Sequence, residues 1–219
     1  MDKYVIVLDT ETANTLEDPL VYDIGFAVIN TENGNIVESH SFAVSDFFFD
    51  KELMNSAYYK EKIPSYWDEI REKERTFSSL QRIRFLLYDI CKHYNIKIIA
   101  AHNARFDNRS CNLSQRYRTS SKHRFFFPYG VEIWDTLKMA KETFRNNEEY
   151  SNFCKENNYL TKRGLNRYTA EILYRFISGN NDFKEAHKGL EDVKIEKEIF
   201  MYCLKKNPEI DGNLFKKKN

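Results

Sequence analysis

Apolar residues recur along this chain with two periods, and the change from one to the other divides it. Tyr4 to Leu8 is a short apolar run suited to a central strand, and it runs straight into a carboxylate, Asp9. From Val21 to Asn30 the pattern alternates around Ile24, Phe26 and Val28, and Asn33-Gly34 then supplies a hairpin signal ahead of Ile36 to Val44. Three antiparallel strands are predicted at the start. Beyond them the period lengthens. Phe77, Leu80, Ile83, Leu87, Ile90 and Tyr94 recur every three or four residues, which predicts a long amphipathic helix. Ile96 to Ala101 reads as a buried strand, Arg105 to Tyr117 as a helix, Val131 to Trp134 as a strand and Thr136 to Phe144 as a helix. Leu165, Tyr168, Ile172, Leu173 and Phe176 mark a further helix, and Leu190, Val193, Phe200 and Leu204 the last. Strands first, then alternating helices and strands, predict an α/β fold: a mixed sheet with helices packed on it. No internal repeat or low-complexity linker breaks the pattern, so 1–207 reads as one domain and 208–219 as a basic C-terminal tail.

Composition narrows the class. Of 219 residues, 42% are hydrophobic and 31% charged, enough for a sizeable core and too much for wholesale disorder. No apolar run approaches the roughly 18 residues of a membrane span, and the N-terminal run reads as a strand and not as a signal peptide. Cys91, Cys111, Cys154 and Cys203 lie far apart with no Cys-x-x-Cys pair, as expected of reduced thiols in a cytoplasmic protein. The formal net charge of +1 points nowhere, but its distribution is uneven. Residues 1–50 hold ten carboxylates against one cation, Lys3. Between Ala104 and Arg124, by contrast, Arg105, Arg109, Arg116, Arg118, Lys122 and Arg124 face only Asp107, and Lys205, Lys206, Lys216, Lys217 and Lys218 gather near the chain end. Such runs are either solvated faces or an acidic centre for metal ions flanked by basic surface for a phosphate backbone.

Three short patterns carry chemistry. Asp9 and Glu11 end the first strand two residues apart, so both carboxylates project to one side and repel unless a proton or a cation intervenes. Asp-x-Glu alone is weak; about one is expected by chance in an acidic chain of this size. Asn103 and Asp107 stand one helical turn apart directly after the strand at 96–101, where an acid in the first turn also complements the helix dipole. His187 and Asp192 follow near the end, the histidine expected in a loop and the aspartate in the first turns of the last helix.

Together, in this order, Asp9-x-Glu11, Asn103-x-x-x-Asp107 and His187-x-x-x-x-Asp192 resemble the three signatures of the DEDDh 3′–5′ exonucleases, a family that includes polymerase proofreading subunits, RNase T and oligoribonuclease. Thr12 after the first motif, the run Tyr22-Asp23-Ile24-Gly25-Phe26 and the run Trp134-Asp135-Thr136-Leu137 are similar to family segments as well, and the likeness extends from Lys3 to Leu204. Ala13-Asn14 depart from the Thr-Gly that many members carry after Glu-Thr. The resemblance implies an RNase H-like mixed sheet of five strands, the first three antiparallel, flanked by helices. It implies a pair of divalent ions, Mg²⁺ with Mn²⁺ as a substitute, held by Asp9, Glu11, Asp107 and Asp192 with Asp9 bridging, since hard oxygen ligands favour these ions over zinc. His187 is the motif residue with a pKa suited to accepting a proton from water. The expected reaction is hydrolysis from the 3′ end of single-stranded nucleic acid, DNA in first place, to 5′-mononucleotides. Thr10, Thr12, Asn103 and Phe106 are expected at the substrate, with Leu16, Phe26 and Phe106 as candidate stacking platforms for terminal bases. An exoribonuclease or oligoribonuclease, an endonuclease or a structure-selective nuclease, or a non-catalytic module binding nucleic-acid ends or a polymerase are the alternatives. Possible partners are a polymerase or repair complex, in a monomer or a homodimer.

Overall fold

The first apolar run becomes the middle of the sheet. In the computed structural model, which describes residues 2–122 and 124–215, β1 (Tyr4–Asn14) pairs antiparallel with β2 (Pro19–Asn30), and β2 with β3 (Ile36–Val44). Gly34, with φ of 74°, closes the second hairpin by donating its N–H to Asn30 O at 2.8 Å, the left-handed turn that Asn-Gly signals. Two one-turn helices, α1 (Ser45–Phe48) and α2 (Lys51–Asn55), and then α3 (Ile63–Arg71) lead to β4 (Thr76–Ser78). The three residues of β4 pair parallel to β3 and add a sixth strand to the five expected. The helix expected from Phe77 therefore begins later. Phe77 lies in β4, Ser79 caps the chain through its hydroxyl and the Arg82 N–H, and α4 spans Leu80–His93.

From here strands and helices alternate: β5 (Ile98–Ala101), α5 (Arg105–Arg118), β6 (Glu132–Asp135), α6 (Thr136–Phe144), α7 (Glu148–Glu156), α8 (Ala170–Ser178) and α9 (Gly189–Lys206). β5 runs parallel to β1 and β6 parallel to β5, giving the order β4-β3-β2-β1-β5-β6. Each face of the sheet has its own core. Ile6 and Leu8 of β1 join Leu87, Ile90 and Cys111 on the α4/α5 side, while Val5 and Val7 join Leu173, Val193, Ile199 and Phe200 on the α8/α9 side. Leu165 and Tyr168 precede α8 and do not belong to it: Leu160 and Asn166 form an isolated bridge and Thr169 caps the helix. The segment after 207 starts against the sheet edge. Asn213 bridges to Trp134, the Leu214 N–H donates to Ile133 O at 2.9 Å, and Ile210 is buried. Lys216, Lys217 and Lys218 lie outside the described residues. Among the described residues no helix is long and apolar enough to cross a membrane.

Candidate active site

The alternation of β1 sends Asp9 and Glu11 to the α9 face and Thr10 to the α5 face. Thr10 is buried there, and its hydroxyl donates to Asp107 Oδ1 at 2.8 Å. Expected as a substrate contact, Thr10 has its side chain committed to holding Asp107, which lies 4% exposed at the start of α5.

Two glycines bring α9 to the other face. A Cβ on Gly25, which sits opposite Asp9 in the β1–β2 register, would come within 2.0 Å of Leu190 N; one on Gly189 would meet Gly25 N at 2.5 Å. Only bare backbone allows this approach, and it places the first turn of α9 against the ends of β1 and β2. Asp192 then fixes the preceding loop: its carboxylate accepts the Ala186 N–H at 3.2 Å and the Lys188 N–H at 2.9 Å. His187, between those donors, takes a left-handed φ of 53°. Glu11, His187 and Asp192 thereby offer ligand atoms all within 4.8 Å of one another. The His187 ring lies parallel to Tyr59, with centroids 4.0 Å apart and planes 8° apart, and Glu185 Oε2 stands 4.0 Å from Nδ1.

These groups open into a cleft of about 660 Å³ whose lining includes Asp9, Glu11, Tyr59, Asn103, His187 and Asp192. Asn103, with φ of 61°, is exposed at this cleft; its N–H donates to Asp135 Oδ1, the same atom that caps α6 through the Leu137 N–H, each at 2.9 Å. Asp107 sits beneath the lining. Thr12 and Phe106 are half-buried and outside it. Phe26 is fully buried, its ring 6.1 Å from that of Phe42 and 5.0 Å from that of His40, so it is core and cannot stack on a base. Leu16 is exposed, and Arg109 donates to its carbonyl oxygen.

Burial and mutual repulsion dominate the electrostatics. Burial, reinforced by the charges of Glu196, Asp107, Glu11 and Asp192, pushes Asp9 well above the usual carboxylate range. Burial, then Asp23, raises Glu11 to about 9; burial, then Glu185, raises Asp192 to about 8. Burial raises Asp107 to about 7 against the hydrogen bond from Thr10. His187 moves the other way, held below its ordinary value by burial and by the Lys62 charge. Asp9 Oδ2 is enclosed and, among the described residues, has no hydrogen-bond partner. Carboxylates crowded together, with an orphaned oxygen among them and hard donors throughout, fit a divalent cation such as Mg²⁺ or Mn²⁺.

Several cleft residues were not legible in the sequence. Lys141 and Arg167 supply its cations, while part of the expected basic stretch is used internally: Arg118 pairs with Asp46 at 2.9 Å and Arg124 Nε donates to Ser121 O. Tyr59, Glu185 and Glu196 also line it. None of these belongs to a spacing motif; Glu196 alone carried a signal, standing four residues after Asp192 and hence on the same helix face.

No family model matches the sequence, and no curated protein matches it. Solved structures do match. The nuclease domain of 3′hExo, a DEDDh family member bound to rAMP, is similar over 97% of this chain and 96% of its own, with 13% identity and a TM-score of 0.61. A 3′-exonuclease from a structure of 3′-end recognition of the histone mRNA stem-loop is similar over 94% of this chain and 83% of its own, with 11% identity and a TM-score of 0.62. E. coli Exonuclease I in complex with a dA16 oligonucleotide is similar over 94% of this chain but 42% of its own, with 15% identity and a TM-score of 0.57. The chain therefore has the fold of the DEDDh 3′-exonucleases.

Proposed function

We propose that this protein is a metal-dependent 3′–5′ exonuclease that hydrolyses single-stranded nucleic acid, DNA in first place, to 5′-mononucleotides. The observation that carries the reading is the convergence of Glu11, His187 and Asp192 within 4.8 Å of one another, beside an Asp9 oxygen that is buried without a partner among the described residues. Asp9, Glu11, Asp107 and Asp192 would hold the ions, and bound divalent ions supply Lewis acidity to the attacking and leaving oxygens of an in-line displacement.

The remaining work falls to the protein's own groups. His187, whose lowered pKa leaves the ring neutral near pH 7, takes the proton of the attacking water. Tyr59 holds that ring by stacking, and the loop bound to Asp192 holds its backbone. The water oxygen bonds to phosphorus, the 3′ oxygen of the preceding nucleotide leaves with the bonding pair, and a 5′-monophosphate departs. Lys141, Arg167 and Asn103 line the cleft; the two cations would face the phosphate backbone and Asn103 the terminal nucleotide. An exoribonuclease is the second reading, favoured by the likeness to the rAMP-bound 3′hExo domain. The test is a time course on matched 3′- and 5′-labelled DNA and RNA oligonucleotides with Mg²⁺ or EDTA. Stepwise shortening of the 5′-labelled strand and immediate mononucleotide release from the 3′ label are expected, both stopped by EDTA. Cutting of a circular strand, or hydrolysis undiminished in EDTA, overturns the reading.

A further inference from the structure

We propose that Glu196 is a fifth carboxylate of the metal centre, acting beside Asp9. The inference rests on the reading that the cleft binds divalent ions, and it adds a group that none of the three motifs contains. Glu196 follows Asp192 by one turn of α9, so both side chains emerge on one face of the helix. It is 2% exposed, yet it lines the same cleft as Asp9, Glu11 and Asp192. Among the described residues it accepts one hydrogen bond, from the His102 N–H at 3.2 Å, and pairs with no lysine or arginine. Its neighbours along α9, Val193, Ile195, Ile199 and Phe200, are buried and apolar, as this depth in the protein ordinarily requires. An enclosed carboxylate there is unfavourable unless it holds a proton or something positive faces it. The groups that do face it are acidic: Asp107, Asp192 and Glu185 all act on it, and of the charges around Asp9 that of Glu196 weighs most. The enclosed Asp9 Oδ2, without a hydrogen-bond partner among the described residues, shows the same deficit from the other side. A divalent ion meets both.

The competing role is structural, an acceptor for the His102 N–H at the end of β5. Glu196→Gln separates the two, because the amide oxygen keeps that hydrogen bond and gives up the anionic ligand. Binding of Mn²⁺ to the full chain, read from the free-ion electron paramagnetic resonance signal without nucleic acid, is the readout. The expected result is Mn²⁺ affinity at least roughly tenfold weaker in Glu196→Gln than in the wild type, with the metal-free melting temperature equal or higher. Unchanged Mn²⁺ affinity in a folded Glu196→Gln overturns the proposal. If Glu196→Gln does not fold, Glu196→Met repeats the test, and failure of both to fold assigns the residue to structure and overturns it too. Asp9→Asn is the control: if the wild type binds no Mn²⁺, the metal reading of the cleft itself fails; if Asp9→Asn loses binding while Glu196→Gln keeps it, only the role of Glu196 fails.

Discussion

Two buried acidic clusters meet at the start of α9, and they have opposite solutions to the same problem. On one side Asp23, fully buried, accepts the Tyr66 hydroxyl at 2.6 Å and the Gly189 N–H at 3.0 Å and pairs with Arg75. Arg75 is 2% exposed and also binds Glu69 at 2.8 Å, and Lys188 pairs with Glu69 as well. Burial pushes the Glu69 carboxyl up, but the hydrogen bonds from Lys188 and Arg75 outweigh it and hold it below the usual range. On the other side, among the described residues, Asp9, Glu11, Asp107, Asp192 and Glu196 form no ion pair with a lysine or arginine, and every one of the five is pushed upward. The chain thus neutralises one cluster itself, and the other is the one proposed to take an outside cation. A buried carboxylate with a built-in partner is structure; one without is a binding site in waiting.

The difference can be broken from either side. The largest effect is expected at the chemistry. His187→Ala should lower the turnover rate by roughly 10²–10⁴-fold, with little change in oligonucleotide affinity measured in Ca²⁺. Full recovery of rate with more Mg²⁺ would assign His187 to metal binding instead. Next comes the neutralised cluster. Arg75→Ala leaves the buried Asp23 without its guanidinium and takes one partner from the half-buried Glu69, and should cost about 3–5 kcal/mol in denaturant unfolding. A loss below about 1 kcal/mol would show that this network holds nothing together. The smallest effect, and the sharpest for the comparison, is the pH dependence of the metal-free protein. Glu11 and Asp192 are raised to about 9 and about 8, so the folded chain holds protons there that the unfolded chain releases near pH 4. Their contribution is full below the unfolded value and is lost as pH rises through the folded ones. Between about pH 7 and 9, above the histidine range, metal-free stability should fall by at least about 1 kcal/mol, roughly 2–4 °C in melting temperature. Saturating Mg²⁺ should remove that fall. A flat metal-free profile would place these carboxylates in contact with water and not in an enclosed cluster.

The sheet was legible where side-chain period and turn chemistry agree. β1, the Asn-Gly hairpin and β5 follow from apolar runs and a turn dipeptide. β4 was not, because three residues bounded by polar ones have no period, and its pairing is decided by β3. α7 was missed for a related reason: two buried residues, Tyr150 and Cys154, in nine are too few to stand out. The acidic excess of residues 1–50 is compatible in sequence with a solvated face or with one metal-binding centre, yet its members divide by partner. Asp9 and Glu11 enter the cleft, Asp23 meets Arg75, Asp46 meets Arg118 and the Leu80 N–H, and Asp50 caps α2 through the Leu53 N–H. Spacing reveals residues that share a helix or strand, such as Asp9 and Glu11 on β1. It is silent on Tyr59, Lys141 and Arg167, which reach the cleft from separate elements and loops through tertiary packing.

As proposed, the second cluster exchanges protons for metal ions when it binds them. Calorimetric titration of Mg²⁺ into the metal-free protein at pH 7, run in two buffers of different ionisation enthalpy, measures that exchange directly. The prediction is saturable binding with net proton release, since Glu11 and Asp192 must give up protons to act as ligands. No binding, or binding with no proton released, would contradict it.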